Sequence, residues 1–117
     1  PSRRRRAPTA QHANVARAFA DWGIPTADSL RYVREAAPGL PIFASGGLRD
    51  GVDIAKCIAL GAELGGMAGP FLKAAAQSVD AVSKLIWELS TQLRVAMFAA
   101  GAADIAALKQ TPLYPVP

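Results

Sequence analysis

Two stretches of the chain place glycines where a helical pattern begins: Ser45-Gly46-Gly47-Leu48-Arg49-Asp50-Gly51 and Gly65-Gly66-Met67-Ala68-Gly69-Pro70. Glycine lets backbone amides approach a ligand with no Cβ in the way. A helix starting just beyond such a turn adds unpaired N–H groups and a partial positive charge, the ordinary means of holding a phosphate. Arg49 sits at the rim of the first turn, where it can pair with a phosphate or simply face solvent. No other constellation carries chemistry. There is no Cys/His pair, no Ser/His/Asp set and no carboxylate pair on a shared face. Asp50 and Asp53 are explained by capping, and Cys57 lies on an apolar helix face as a small buried hydrophobe. No catalytic side chain and no metal ligand set is assigned.

Composition narrows the classes further. The chain has 117 residues, about one small domain, with 51% apolar and 19% charged residues, enough to bury a core. One cysteine excludes an internal disulfide and a Cys-only metal cage. His12, the only histidine, has no partner at ligand spacing. No apolar run approaches the ~18 residues of a membrane span, and no signal-like segment follows the basic start, so no membrane is expected and the cytoplasm is the expected compartment. The net charge is +4, but with Arg3–Arg6 set aside, nine basic residues balance nine acidic ones. That run reads as a solvated arm, or as a grip on phosphate backbones. No aromatics interleave with it and the body is neutral, so nucleic acid is not expected as a partner.

The glycine turns need elements to position them. Pro1–Asn14 shows no clear period, and the pattern becomes regular after Ala16. Thr26 suits an N-cap, with Asp28 in the first turn. Leu30, Val33 and Ala37 form the apolar face of that helix, Arg31, Arg34 and Glu35 point outward, and Pro38-Gly39 ends it. Pro41–Ala44 is a short apolar strand of the kind found in parallel sheets covered on both faces. Asp50 caps a second helix stopped by Gly61, and Glu63–Ala68 is a strand weakened by two glycines. Pro70 opens a short helix through Ala75. Ser78 caps a long helix whose stripe is Val82, Leu85, Ile86, Leu89, Leu93 and Met97, closed by Gly101. A short helix over Ile105–Lys109 and a proline-rich tail follow.

Helix, strand, helix, strand, short helix, long helix is an α/β order with right-handed crossovers. In (β/α)8 barrels, the loops after strands seven and eight plus a short extra helix form a phosphate site. The segment from Gly69 reads as that extra helix. On spacing alone, phosphate binding and purely structural turns both stay open. Two strands make no stable parallel sheet by themselves, so the chain is expected to be part of something larger, or to be completed by another chain.

Three segments carry a resemblance: Phe19–Thr26 (FADWGIPT), Ala44–Lys56 (ASGGLRDGVDIAK) and Ala68–Ala75 (AGPFLKAA), with Leu93–Ala102 (LRVAMFAAGA) adding to it. They closely resemble the C-terminal third of type 2 isopentenyl-diphosphate delta-isomerases, over about Ala16 to Leu113. FMN-dependent barrel enzymes that oxidise 2-hydroxy acids share a related glycine turn. The resemblance implies the last two or so βα units of a (β/α)8 TIM barrel. It implies FMN as cofactor, NADPH as reductant and Mg²⁺ in the full-length protein, and an allylic or homoallylic diphosphate as substrate. It also implies that the backbone around Gly46, Gly47, Leu48 and Arg49, and around Ala68 and Gly69, holds the FMN phosphate. Residues 1–15 are then a disordered basic start, 16–113 the barrel part and 114–117 an extended tail. The chain alone is expected to be inactive and either to self-associate or to stay a partly molten monomer, and a homo-oligomer is the expected assembly. The alternatives are an FMN-dependent 2-hydroxy-acid dehydrogenase or oxidase, and a non-catalytic phosphate-binding module.

Overall fold

The computed structural model describes residues 9–116; the arginine run Arg3–Arg6 lies outside them. Eight elements follow: α1 (Ala10–Ala18), α2 (Thr26–Ala36), β1 (Phe43–Ala44), α3 (Gly51–Ala59), β2 (Leu64–Gly65), α4 (Gly69–Gln77), α5 (Val79–Ala100) and α6 (Ile105–Lys109). None of the described helices is long and apolar enough to cross a membrane.

β1 and β2 pair in parallel, with Phe43 opposite Leu64 and Ala44 opposite Gly65. Flanking bonds from Glu63 N to Ile42 O and from Gly66 N to Ala44 O extend the ladder slightly. The helix between the strands is α3, so the unit is a βαβ crossover. The parallel pairing expected from the sequence is present, but coverage on both faces is not. Ala44 is 3% exposed, whereas Phe43 is 70% and Leu64 is 44% exposed. Side chains alternate across a strand, and only the Ala44 side is covered.

α3 sits at the centre of the packing. On one side Leu30, Ala44, Leu48, Cys57 and Ala62 form a cluster beneath the strands. On the other, Ala55 and Ile58 meet Ala102 and Leu108, with Leu93 and Met97 against them. Cys57 is buried, as its apolar surroundings suggested, and burial pushes its thiol above the ordinary value. The approach of α3 to α5 depends on Gly51. A Cβ there would lie 2.5 Å from Leu89 O and 2.6 Å from Leu93 N, and its amide donates to Gln92 Oε1 at 2.8 Å.

Local capping chemistry sets most boundaries. Asp50, Ser78 and Asp104 each accept from an amide in the first turn of α3, α5 and α6. Gly101 at φ +74° closes α5, and Ala102 N donates to Met97 O in the Schellman pattern. The α5 stripe faces inward, with Leu89 buried, except that Ile86 is half exposed.

Three expectations change. A helix, α1, begins at Ala10, well before the pattern looked regular, because Thr9 caps it by accepting from His12 N. Arg34 does not point freely outward: its Nη1 donates to Leu60 O at 3.0 Å and its chain lies under Gly61. Thr26 does not cap α2. Pro25 holds that position without a side-chain bond, and the Thr26 hydroxyl goes elsewhere.

Candidate functional site

Both glycine turns emerge from the carboxyl ends of the two strands, where each strand hands over to a helix. Together they line one cleft of about 740 Å³, bounded by residues 45–49 of the first turn and 66–70 of the second. Gly46, Gly47, Leu48, Arg49, Ala68 and Gly69, six residues from two separate segments, are all in its lining.

The first turn is sharply bent. Gly46 has φ +104° and Gly47 has φ +74°, the left-handed region that L side chains rarely adopt. A Cβ on Gly46 would also come within 2.9 Å of Thr26 Oγ1, whereas one on Gly47 would meet nothing within 4 Å. The Thr26 hydroxyl donates to Gly46 O at 2.6 Å. Leu48 turns its side chain into the core at 8% exposure, which fixes the turn to the body.

Arg49 and Asp53 form the rim. Asp53 Oδ2 accepts both the Arg49 amide at 3.0 Å and Arg49 Nε at 3.1 Å. Partial burial alone would raise the Asp53 carboxyl, but the bonds from Arg49 outweigh it and hold the group below its ordinary value. The same pair raises the already high Arg49 value. Asp53 is therefore more than part of a cap: Asp50 does the capping and Asp53 holds Arg49. The Arg49 side chain is otherwise 80% exposed, leaving the outer edge of its guanidinium open to solvent.

The second turn is looser. Gly66 N donates to Ala44 O, and α4 begins at Gly69 with Pro70 in its first turn and no side-chain cap. Within the described residues, the amides of Gly47, Leu48, Ala68 and Gly69 donate to no protein acceptor. Four amides without a protein acceptor, on two turns that line one cleft, are suited to a multiply charged anion. No cluster of His, Cys, Asp or Glu among these residues has the makeup of a metal site.

Thr26 was not legible as part of this site. Its partner lies about twenty positions away, and by local rules the residue reads as a cap.

A chain with this βαβ unit and this pair of turns belongs to the FMN-dependent dehydrogenase family, which matches residues 17–115. Among curated relatives, the isopentenyl-diphosphate delta-isomerase of Xanthobacter autotrophicus is 54% identical over 105 residues, covering 90% of this chain and 31% of the relative. The isopentenyl-diphosphate delta-isomerase of Stutzerimonas stutzeri is 52% identical over 108 residues, covering 92% and 31%. The chain thus spans about a third of the length of these relatives. Among solved structures, a mandelate oxidase variant with a monooxide FMN adduct superposes with a TM-score of 0.72 at 32% identity, over 77% of this chain and 29% of the other. Mandelate oxidase with benzoyl-formic acid gives the same TM-score and identity, over 77% and 28%.

Proposed function

We propose that this chain is the FMN-phosphate-binding part of an isopentenyl-diphosphate delta-isomerase, forming about the last two βα units of its (β/α)8 barrel. The observation that carries this reading is the 54% identity to an isomerase of that name, against 32% to the oxidase structures. The geometry supports the cofactor assignment. A phosphate monoester needs several donors and close backbone approach, and the cleft offers the Gly47, Leu48, Ala68 and Gly69 amides with open space at Gly47 and Gly69. The Arg49 amide is committed to Asp53, so Arg49 contributes through its guanidinium edge. Gly46 serves by its bend.

FMN held there would supply the acid–base chemistry of its reduced ring for converting isopentenyl into dimethylallyl diphosphate. The chain's own residues anchor the far end of the cofactor and so fix where the ring lies. NADPH as reductant, Mg²⁺ on the diphosphate, a homo-oligomeric state and a cytoplasmic setting belong to the same reading.

A longer protein that carries this chain as its last third should retain FMN on purification and isomerise isopentenyl diphosphate only when a reductant is present. Isomerisation by a flavin-free preparation would overturn the assignment, as would turnover by the 117-residue chain alone. The mandelate oxidase likeness favours a second reading, an FMN-dependent 2-hydroxy-acid dehydrogenase or oxidase. Oxidation of 2-hydroxy acids by that longer protein, without isomerase activity, would decide for it.

A further inference from the structure

We infer that Thr26 and Asp53 are positioning residues that clamp the Gly46–Arg49 turn from its two ends and aim the Gly47 and Leu48 amides into the cleft. The inference rests on the phosphate reading of that cleft.

The first end is the Gly46–Gly47 peptide. In a trans peptide the C=O and the N–H point in opposite directions, and the described residues contain no cis bond. Thr26 Oγ1 takes Gly46 O at 2.6 Å, so the Gly47 N–H is turned to the opposite side. The second end is the Leu48–Arg49 peptide, whose N–H is taken by Asp53 Oδ2 at 3.0 Å. The Gly47 amide is part of the first fixed peptide and the Leu48 amide lies between the two, and neither has a protein acceptor among the described residues.

The two clamping side chains come from different helices, Thr26 from the first residue of α2 and Asp53 from the first turn of α3. The turn is therefore referenced to two rigid bodies at once. An ordinary capping role does not account for either side chain. Thr26 makes no capping bond to α2, and the cap of α3 is Asp50. The close fit at Gly46, where even a Cβ would press on the Thr26 hydroxyl at 2.9 Å, is the mark of a dedicated contact. Two ends held, two donors presented and a ligand-sized opening in front of them make a preorganised anion cradle.

The test uses the longer protein that carries this chain, with FMN and riboflavin as probes that differ only in the phosphate. Thr26→Val keeps the shape and removes the hydroxyl; Thr26→Ser keeps the hydroxyl. Thr26→Val should weaken FMN binding by about fivefold to tenfold, the scale of one lost hydrogen bond, and leave riboflavin binding unchanged. Thr26→Ser should restore FMN affinity to within about twofold. In the ligand-free protein, ¹⁵N relaxation should show fast motion rising at residues 46–48 in Thr26→Val, and at residues 48–49 in Asp53→Asn, with other helices unaffected. Equal loss of FMN and riboflavin, or no loss of either, would overturn the clamp. If the wild-type protein shows no preference for FMN over riboflavin, the phosphate reading fails instead. The relaxation data then judge the clamp separately, and unchanged rigidity at residues 46–48 in Thr26→Val overturns it.

Discussion

The turn after β1 and the turn after β2 face the same cleft, yet they are built differently. In the first, two left-handed glycines bend the chain, Leu48 plugs into the core, and side chains from α2 and α3 hold both ends. In the second, no residue has positive φ, α4 starts without a side-chain cap, and a Cβ on Gly69 would meet nothing within 4 Å. Glycine is thus demanded by conformation in the first turn and by nothing in the fold at Gly69. The contrast separates residues that shape the site from residues that merely stay out of its way.

The largest effect is expected at the end of the first turn. Gly51→Val drives a branched side chain into the Leu89 and Leu93 backbone, which cannot yield as a flexible side chain does. The cost should be about 3 kcal/mol or more, lowering the melting temperature by roughly 10 °C or more for a domain of this size. A melt within 2 °C of wild type, read by circular dichroism, would show that α3 and α5 do not meet as described.

Gly47→Val comes next and should divide its effects. The φ of +74° costs a β-branched residue roughly 1–2 kcal/mol, while open space around the position lets the rest of the fold survive. Flavin content of the purified longer protein should fall to near zero with its far-ultraviolet spectrum retained. Unchanged flavin content would count against the first turn as the anchor.

The Asp53 clamp brings a pH dependence that the second turn lacks. Its carboxyl is held below the ordinary 3.8, so the folded state binds this proton less readily than the unfolded state. The stabilisation is present above pH ~4 and is lost as pH falls through the lowered folded value. Acid unfolding of Asp53→Asn should therefore be less steep than that of wild type below pH ~4. Superimposable acid profiles would remove Asp53 from the clamp.

The smallest effect sharpens the comparison most. Gly69→Ala should leave the melting temperature within about 2 °C, since neither φ nor space forbids a methyl group. On the proposed reading it should still weaken FMN binding, because a methyl group would take up open space that the phosphate needs. A stability loss as large as that of Gly47→Val would mean the second turn is as constrained as the first.

Much of the scaffold was readable because its determinants are local. Asp50, Ser78 and Gly101 act within a few residues of themselves, so the helix starts and stops could be read from neighbours. Both glycine turns were visible for the same reason. Thr26 and Arg34 were misread because the partners that use them, Gly46 O and Leu60 O, are twenty and more positions away. A helical wheel places such side chains by periodicity and has no access to those acceptors. Phe43 was legible through context: an all-apolar strand implies cover on both faces, and its exposure here agrees with the expectation that the second cover belongs to something larger than this chain.

The parallel pair also bears on the order in which the molecule assembles. Phe43 and Leu64 are only 21 positions apart, with α3 and its Asp50 cap wholly inside the interval. Closing a loop this short costs little chain entropy, and contacts of low sequence separation form early. Residues 42–66 are therefore expected to condense first, before α5 docks onto Gly51. Pulse-labelled hydrogen exchange during refolding should find the Gly66 amide, bonded to Ala44 O, protected ahead of the Gly51 amide, bonded to Gln92. The Asp53-held end of the first turn would then be set by the first structure the chain makes, with Thr26 of α2 and the long helix arriving afterwards.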